Sequence, residues 1–370
     1  MAPRRIKPPS TSAVKPPPTC LLCGVQIPGT YPLQETPDQV LKKSHWRHLW
    51  RTKSKHAIVP AQEVEEAYFD EFPWLSSCFC RAFIKETDRT YPRYRLTGIN
   101  IFGNSGCGWP QPCYAPSDPA KARVGGKGNF QYNGQILTQF RVAGIGRRQP
   151  EEYEGKVIGY LVHAHCWVLF NRVEDLTLNK ANLATLVKVA RKHWYHNDEW
   201  EIRQEDFRRL QRRLPNPKFD SRCDIYQSPL VIPAIRKAVE AAKIEGQQRP
   251  ACSSKLPLEI IVMIAELVCP VDHTVNEVQD LTNMLRAFGS RLPDWFWRGR
   301  IHELSQGLFV ELDELKSAGT AVDWQSLHLS LMGLVADRTW FFSSGLANRE
   351  RVLEIMRALE RSYLGQAQKA

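Results

Sequence analysis

Two pairs of cysteine and histidine residues stand at spacings that suit a metal ion. Cys20 and Cys23 are separated by two residues and followed by Gly24, and His163 and Cys166 repeat the two-residue gap far downstream. Two such pairs supply three thiolates and one imidazole, a closed tetrahedral set typical of structural zinc. The glycine permits a tight turn that aims backbone N–H groups at sulfur. The spacing therefore predicts one structural zinc site formed by these four ligands.

The residues alone leave alternatives to this ligand set open. His165 could replace His163, and the four side chains could instead be buried thiols beside a hydrogen-bonded histidine, because free cysteine packs as a small hydrophobe. A second metal site could use the four cysteines Cys78, Cys80, Cys107 and Cys113. Their spacings are poorer, with one intervening residue in the first pair and five in the second, whereas two to four are usual.

Catalytic chemistry finds little support in the sequence. His163 and Cys166 could be a nucleophile and its base, but no acid is recognisably placed to orient them, and zinc makes better use of the same atoms. The glycine-rich run at 125–128 lacks the Ser or Thr that follows the lysine of a phosphate-binding loop. We therefore expect a protein that is not an enzyme.

The positive charge of the chain raises nucleic-acid binding as an alternative. The 370 residues carry a formal net charge of +11, which favours anionic partners when it is concentrated on a folded face. Part of it lies in a basic, proline-rich segment, 1–19, whose composition predicts disorder. The arginine pairs at 147–148, 208–209 and 212–213 could contact phosphates beside a zinc module. The alternative interpretation of these pairs is a solvated helix face.

Nothing in the sequence directs the chain to or through a membrane. The N-terminal segment lacks the apolar run of a signal peptide, and no stretch is long enough to cross a bilayer. We therefore expect a cytoplasmic or nuclear protein. In that reducing environment the ten cysteines should be free thiols or metal ligands rather than disulfides.

The pattern of apolar residues predicts an α+β fold: a loop-rich, zinc-stapled N-terminal domain followed by an all-helical C-terminal region. Short runs between glycines predict strands, and helices are predicted at 182–194 and 200–214. A polar stretch at 245–250 predicts a linker. The last helix is predicted to start with Asn348 as its N-cap. The predicted segments are a tail, 1–19; a Cys/His-bearing domain, 20–225; a helix with the linker, 226–252; a helical module, 253–301; and a helical extension, 302–370.

The first helix of the module is apolar almost all round. Between Pro257 and Val268 the only polar residues are Glu259 and Glu266, which share one narrow face because they are seven positions apart. The following chain has room for two short helices, at 280–288 and 293–301, which are too few to enclose such a helix. The sequence therefore predicts an exposed apolar patch and a protein partner.

The same module resembles the F-box of fungal F-box proteins. The matching residues are Lys255-Leu256-Pro257-Leu258-Glu259-Ile260, Ile264, Leu267, Asp280-Leu281 and Phe296-Trp297-Arg298-Gly299-Arg300. The resemblance implies a substrate receptor that binds a Skp-family adaptor of a cullin-RING ubiquitin ligase and recruits an unknown protein substrate. It also implies an adaptor-facing patch, formed by Leu256, Pro257, Ile260, Ile264, Leu267 and Leu281.

The resemblance extends beyond the module and also has departures. In the same family a Cys-x-x-Cys-Gly precedes a His-x-x-Cys-Trp, as here, and the runs 323–327 and 345–351 are similar to the family's tail regions. Against the F-box pattern, an inserted stretch at 273–278 separates Pro270 from Asp280. A degenerate F-box in a zinc-containing nucleic-acid-binding or scaffold protein is therefore the alternative function.

Overall fold

The structure is a computed structural model in which the described residues fall into separate ranges. They are 18–27, 58–69, 72–86, 93–102, 112–124, 137–145, 155–173, 176–197, 223–243, 256–270, 274–305, 307–313, 315 and 321–367. Several sequence predictions lie outside them: the tail up to 17, the glycine run at 125–128, the arginine pairs, Cys107, the helix at 200–214 and the linker at 245–250.

The described residues contain both helices and strands, which confirms a mixed α+β fold. The strands are β1 (Ile58–Pro60), β2 (Phe79–Glu86), β3 (Arg93–Leu96), β4 (Asn100–Ile101), β5 (Cys113–Pro116), β6 (Lys121–Arg123), β7 (Leu137–Val142) and β8 (Ile158–His163). The helices are α1 (Ala61–Glu65), α2 (Ala164–Arg172), α3 (Leu183–Asn197), α4 (Pro233–Ala241), α5 (Leu258–Val268), α6 (Val275–Ala287), α7 (Asp294–Ser305), α8 (Trp324–Ala336), α9 (Arg338–Ser343) and α10 (Leu346–Ala367). In the ranges listed above, no helix has the length and apolar character needed to cross a bilayer.

A mixed sheet with the strand order β3-β2-β8-β7-β5 forms the centre of the N-terminal half. β2 and β8 are antiparallel neighbours, with Cys80 opposite His163, while β7 and β8 run parallel. Almost every residue of β2 and β8 is buried, and β8 up to Val162 is a continuous apolar run instead of an alternating one. For this reason the apolar stretch near 157–170 did not reveal that it is a strand followed directly by helix α2.

One continuous core joins the two ends of the described chain. Its buried side chains extend from Cys20 to Leu359 and include residues of the sheet, α2, α3, α4, α8, α9 and α10. Helix α10 packs against α2 and α3. The domain boundaries stay a prediction, but the helical extension after 302 shares its core with the Cys/His-bearing region.

Helices α5, α6 and α7 surround a separate cluster of buried side chains, to which α8 adds Met332. Helix α6 begins at Val275, five residues before the predicted Asp280, because Thr274 and Glu277 form a capping box. The Thr274 backbone N–H donates to the Glu277 carboxylate at 2.6 Å, and the Thr274 hydroxyl oxygen accepts the Glu277 N–H. Residues 275–278 of the stretch predicted as an insertion therefore form the first turn of α6.

The predicted start of the last helix is also corrected. Helix α10 begins at Leu346, and Asn348 lies inside it instead of capping it. The Asn348 side-chain amide donates to the carbonyls of Ile225 and Gln227, at 3.2 and 2.6 Å. These acceptors are about 120 residues away in sequence, so local reasoning mistook a tertiary contact for a cap.

Arg349 forms a buried ion pair with Glu311 beside this contact. Their side chains are 0% and 2% exposed, and Nη2 lies 2.6 Å from the nearer carboxylate oxygen. Nη1 donates to the other oxygen at 2.8 Å and to the Leu308 carbonyl. Nε and Nη2 donate to the carbonyls of Pro229 and Leu230. All five N–H donors of the guanidinium are therefore hydrogen-bonded. These bonds hold α10 against the segments at 229–230 and 308–311.

We expect the Arg349→Met variant to lower the free energy of unfolding by about 3–5 kcal/mol, because it leaves the Glu311 carboxylate buried and unpaired. Urea unfolding followed by circular dichroism would measure the loss. Adding Glu311→Leu should recover part of it, since the double variant buries no charge at this position. Arg361→Met, at an exposed position of α10, is the control. If the double variant lost as much free energy of unfolding as the two single variants together, the coupling between Arg349 and Glu311 would be contradicted.

Candidate metal centre and exposed helical face

The Cys20–Gly24 segment forms a tight turn. The Gly24 N–H donates to the Cys20 carbonyl at 2.9 Å, and a bridge between Thr19 and Gln26 closes the base of the turn. Gly24 has a φ of 72°, a conformation that side chains with a Cβ rarely adopt. A Cβ at this position would also lie 2.5 Å from the Trp194 ring. Both the turn and its packing therefore require glycine.

Two hydrogen bonds hold this turn against the sheet and helix α3. The Leu21 N–H donates to the Leu161 carbonyl of β8 at 2.8 Å. The Trp194 indole N–H of α3 donates to the Leu21 carbonyl at 2.7 Å. Trp194 is 2% exposed, so its ring closes the turn off from solvent. Together these contacts place the first cysteine pair next to the end of β8.

The second ligand pair lies where strand β8 becomes helix α2. His163 is the last residue of the strand and Cys166 is in the first turn of the helix. The positive end of the helix dipole favours a thiolate at that position. The His163 backbone N–H donates to the Cys20 sulfur at 3.4 Å. A strand-to-helix junction thus directs both downstream ligands toward the turn.

The four predicted ligands meet in one buried cluster. Their ligand atoms all lie within 4.8 Å of one another, and no ligand is more than 5% exposed. His163 Nδ1 lies 3.4 Å from the Cys23 sulfur and 3.7 Å from the Cys166 sulfur. Metal–sulfur and metal–nitrogen bonds of about 2.3 and 2.0–2.1 Å in a tetrahedron would separate sulfur and nitrogen by about 3.6 Å. The arrangement therefore fits a single tetrahedral metal ion.

The electrostatics of the cluster favour a cation at its centre. Burial lowers the pKa of His163, but the sulfurs of Cys20 and Cys23 outweigh that effect and raise it to about 10. Burial raises the pKa of the Cys23 thiol, yet hydrogen bonds from Cys166 and Cys20 and the charge of His163 bring it well below its ordinary value. Hydrogen bonds to Cys20 and Cys23, together with burial, raise the pKa of Cys166. The sulfurs and the imidazole thus share protons, and a bound metal ion would displace these protons.

His165 is committed to other partners. Ser228 Oγ accepts the backbone N–H groups of Leu230 and Val231, so its own hydroxyl donates to His165 Nδ1 at 2.8 Å. The His165 Nε2–H then donates to the Val64 carbonyl at 3.2 Å. Burial lowers the pKa of His165 to about 4, which keeps the ring neutral. In the structure the imidazole that joins the three cysteines is that of His163.

Three of the cysteines considered for a second site, Cys78, Cys80 and Cys113, are buried in hydrophobic clusters. Cys78 lies in one hydrophobic cluster, and Cys80 and Cys113 lie in another. Burial raises the pKa of both the Cys78 and the Cys80 thiol, as expected for thiols in an apolar core. Within the described ranges the Cys20, Cys23, His163, Cys166 group is the one cluster of three or more residues suited to a metal ion. A site that includes Cys107 stays a prediction, because that residue lies outside these ranges.

Helix α5 carries a separate feature, an exposed apolar face. Ile260, Met263 and Leu267 are 42%, 58% and 81% exposed, and Ile264 beside them is half-buried. Their spacing of three, four and seven residues places them on one side of the helix. Ile261 and Ala265, on the opposite side, enter the core of the module. The predicted exposed apolar patch is thus present, and Met263 belongs to it; its helical spacing from Ile260 and Leu267 could have revealed this.

The remaining predicted patch residues divide into two groups. Leu256 and Pro257 are exposed and lie just before α5, so they extend its apolar face. Leu281 is 0% exposed and packs in the module core beside Val278 and Leu285. The prediction that Leu281 belongs to the patch is therefore wrong, because the apolar stripe of α6 faces inward. The Leu281 side chain lies under the patch, in the module core.

Comparisons of the chain with protein-family models, with curated proteins and with solved structures found no match. Two features of the described residues bear on function. One is the buried cluster of metal ligands. The other is the α5 face, by which we mean Leu256, Pro257, Ile260, Met263, Ile264 and Leu267.

The metal centre predicts a simple stoichiometry. We expect purified protein to contain about one divalent metal ion per chain, and Cys20→Ser or Cys166→Ser to bring the content toward zero, because a three-ligand remnant binds far more weakly. Inductively coupled plasma mass spectrometry would measure it. Cys78→Ala, which removes a buried thiol outside the cluster, is the control and should keep its metal. A wild-type protein without metal would exclude the site.

Proposed function

We propose that this protein is a non-enzymatic adaptor of the cytoplasm or nucleus, with an F-box-like module. In this proposal α5, α6 and α7 bind a Skp-family adaptor of an SCF-type cullin-RING ubiquitin ligase, and another surface recruits a protein substrate. The observation that carries the proposal is the α5 face, a set of large apolar side chains that are exposed although the opposite side of α5 is packed in the module core.

Energetics favour a partner for this face. Fully burying a side chain such as Ile, Leu or Met contributes roughly 1.5–3 kcal/mol, and Ile260, Met263 and Leu267 together leave much of that contribution unused. The three lie on one rigid helix, so little conformational entropy is lost when they are covered. A helix with apolar side chains at this spacing suits a groove on a partner protein. The proposed contact is therefore a dry, apolar one.

The metal in this proposal is zinc, with a structural role. Three thiolates with one imidazole in a tetrahedron are a ligand set that zinc prefers. All four positions are taken by side chains, whereas a catalytic zinc keeps one position for water or substrate. The cavity that borders Cys23, His163 and Cys166 has a volume of about 10 Å³, roughly the space of one water molecule. We therefore assign the zinc to holding the fold.

Binding of the wild type and variants to a purified Skp-family adaptor tests the proposal directly. We expect the double variant Ile260→Asp, Leu267→Asp to weaken binding by roughly 500- to 1,000-fold, because each of the two anchors contributes about 2 kcal/mol. Isothermal titration calorimetry would provide the affinities. The control is Leu364→Asp, which places the same charge at a residue 44% exposed on α10 and should leave binding unchanged. Circular dichroism would establish that each variant is folded.

Salt dependence separates this function from nucleic-acid binding. An apolar contact should change little between about 50 and 200 mM salt, while phosphate contacts lose affinity steeply over that range. A wild-type protein that fails to bind the adaptor, or binds it equally after the α5 substitutions, would contradict the proposal. Tight, salt-sensitive binding to nucleic acid under the same conditions would favour the alternative function.

A further inference from the structure

Arg351 is a buried cation next to the metal centre. It is 2% exposed, and its Nη1 donates to the Cys23 carbonyl at 3.1 Å. Its Nε and Nη2 both donate to the Asn348 side-chain oxygen, at 3.0 and 2.8 Å. These acceptors are neutral, and among the described residues no carboxylate pairs with this guanidinium, in contrast to Arg349 with its Glu311.

A buried guanidinium without a carboxylate needs another source of negative charge. An isolated charge in a protein interior is unfavourable unless it is paired or coordinates a metal site. Arginine cannot relieve the cost by losing its proton, because its pKa is too high. A negative group other than a carboxylate of the described residues would therefore stabilise Arg351.

The metal centre has the required charge. Three thiolates contribute three negative charges, a divalent ion contributes two positive charges, and a neutral imidazole contributes none, so the complex has a net charge of about −1. Arg351 borders the same small cavity as Cys23, His163 and Cys166. We infer that Arg351 is the counter-cation of the metal centre, so that metal binding and the docking of α10 stabilise each other. The inference rests on the proposed zinc centre and assigns Arg351 as a positioning residue outside the ligand set.

The residues before Arg351 are arranged to hold its side chain in place. The Asn348 amide N–H groups donate to the Ile225 and Gln227 carbonyls, which turns the Asn348 oxygen toward the guanidinium. Gly345 has a φ of 92°, and a Cβ there would lie 2.5 Å from the Ser228 carbonyl. The close approach of the chain at Gly345 thus lets α10 start against the 225–228 segment, with Arg351 directed at the turn of Cys23.

This arrangement makes a reciprocal prediction. If α10 docks more favourably when the centre is charged, the metal must bind more tightly when α10 is docked, by the same factor. Removing the metal should therefore loosen the N-terminal part of α10. Removing the positive charge of Arg351 should weaken the binding of the metal.

The first test measures metal affinity in competition with a chromophoric zinc chelator. We expect Arg351→Met to lower the zinc affinity by about 10–100-fold, the usual effect of losing an outer-shell partner, and Arg351→Lys to lower it less because the charge remains. The matched control is Arg361→Met, the same exchange at an exposed position of α10, which should leave the affinity unchanged. An Arg351→Met variant that binds zinc as tightly as the wild type would overturn the inference.

A second test isolates charge from packing. Cys20→His would convert the centre to two thiolates and two imidazoles, which with Zn²⁺ has a net charge of about zero. If Arg351 acts as a counter-cation, Arg351→Met should reduce zinc affinity much less in the Cys20→His background than in the wild type. An equal reduction in both backgrounds would mean that Arg351 acts only through packing and would overturn the inference.

Hydrogen exchange of the wild type gives a measurement that needs no substitution. Chelation of zinc should increase the exchange of backbone amides at 346–356 in α10, and unchanged protection there would overturn the coupling. A wild-type protein that binds no zinc would overturn the metal centre and this inference together. Zinc-loaded protein whose affinity is insensitive to Arg351 would overturn this inference alone, and neither result depends on the α5 face.

Discussion

The structure depends on one electrostatic constraint, the burial of three cysteine sulfurs and one imidazole in a single cluster. Thiolates are unfavourable in a protein interior unless a cation compensates them. The sulfurs of Cys20 and Cys23 raise the pKa of His163 despite its burial, so the cluster favours positive charge. A tetrahedral metal ion would satisfy this requirement with all four side chains at once, and Arg351 would balance the charge that remains.

This constraint explains why distant parts of the chain share a core. His163 is 140 residues from Cys23, and Arg351 is 328 residues from the same cysteine. Bringing such distant residues together costs loop-closure entropy on folding, although the cost grows only slowly with loop length. The α5, α6 and α7 module packs around a cluster of its own, to which α8 adds Met332, while Ile301 of α7 belongs to the main core. The exposed face lies on α5, whose buried residues Ile261 and Ala265 belong to the module cluster and not to the one that contains the cysteines of the metal site.

Local patterns predicted the ligands, while the tertiary roles of charged and polar residues could not be predicted. Two pairs at short spacing identify Cys20, Cys23, His163 and Cys166 because each pair lies within one turn or junction. Arg351 looks like any surface arginine in sequence, since its burial follows from how α10 packs. The burial of Leu281 likewise depends on the rotation of α6, which periodicity alone does not fix. The early start of α6 was visible in principle, because Thr274 and Glu277 have capping-box spacing.

X-ray absorption at the zinc edge of purified protein would establish whether this cluster holds a zinc ion. We expect a first shell of three sulfur atoms at about 2.3 Å and one nitrogen at about 2.0 Å, with one sulfur fewer in the Cys20→His variant. A shell made only of oxygen and nitrogen, or a protein without bound zinc, would contradict it.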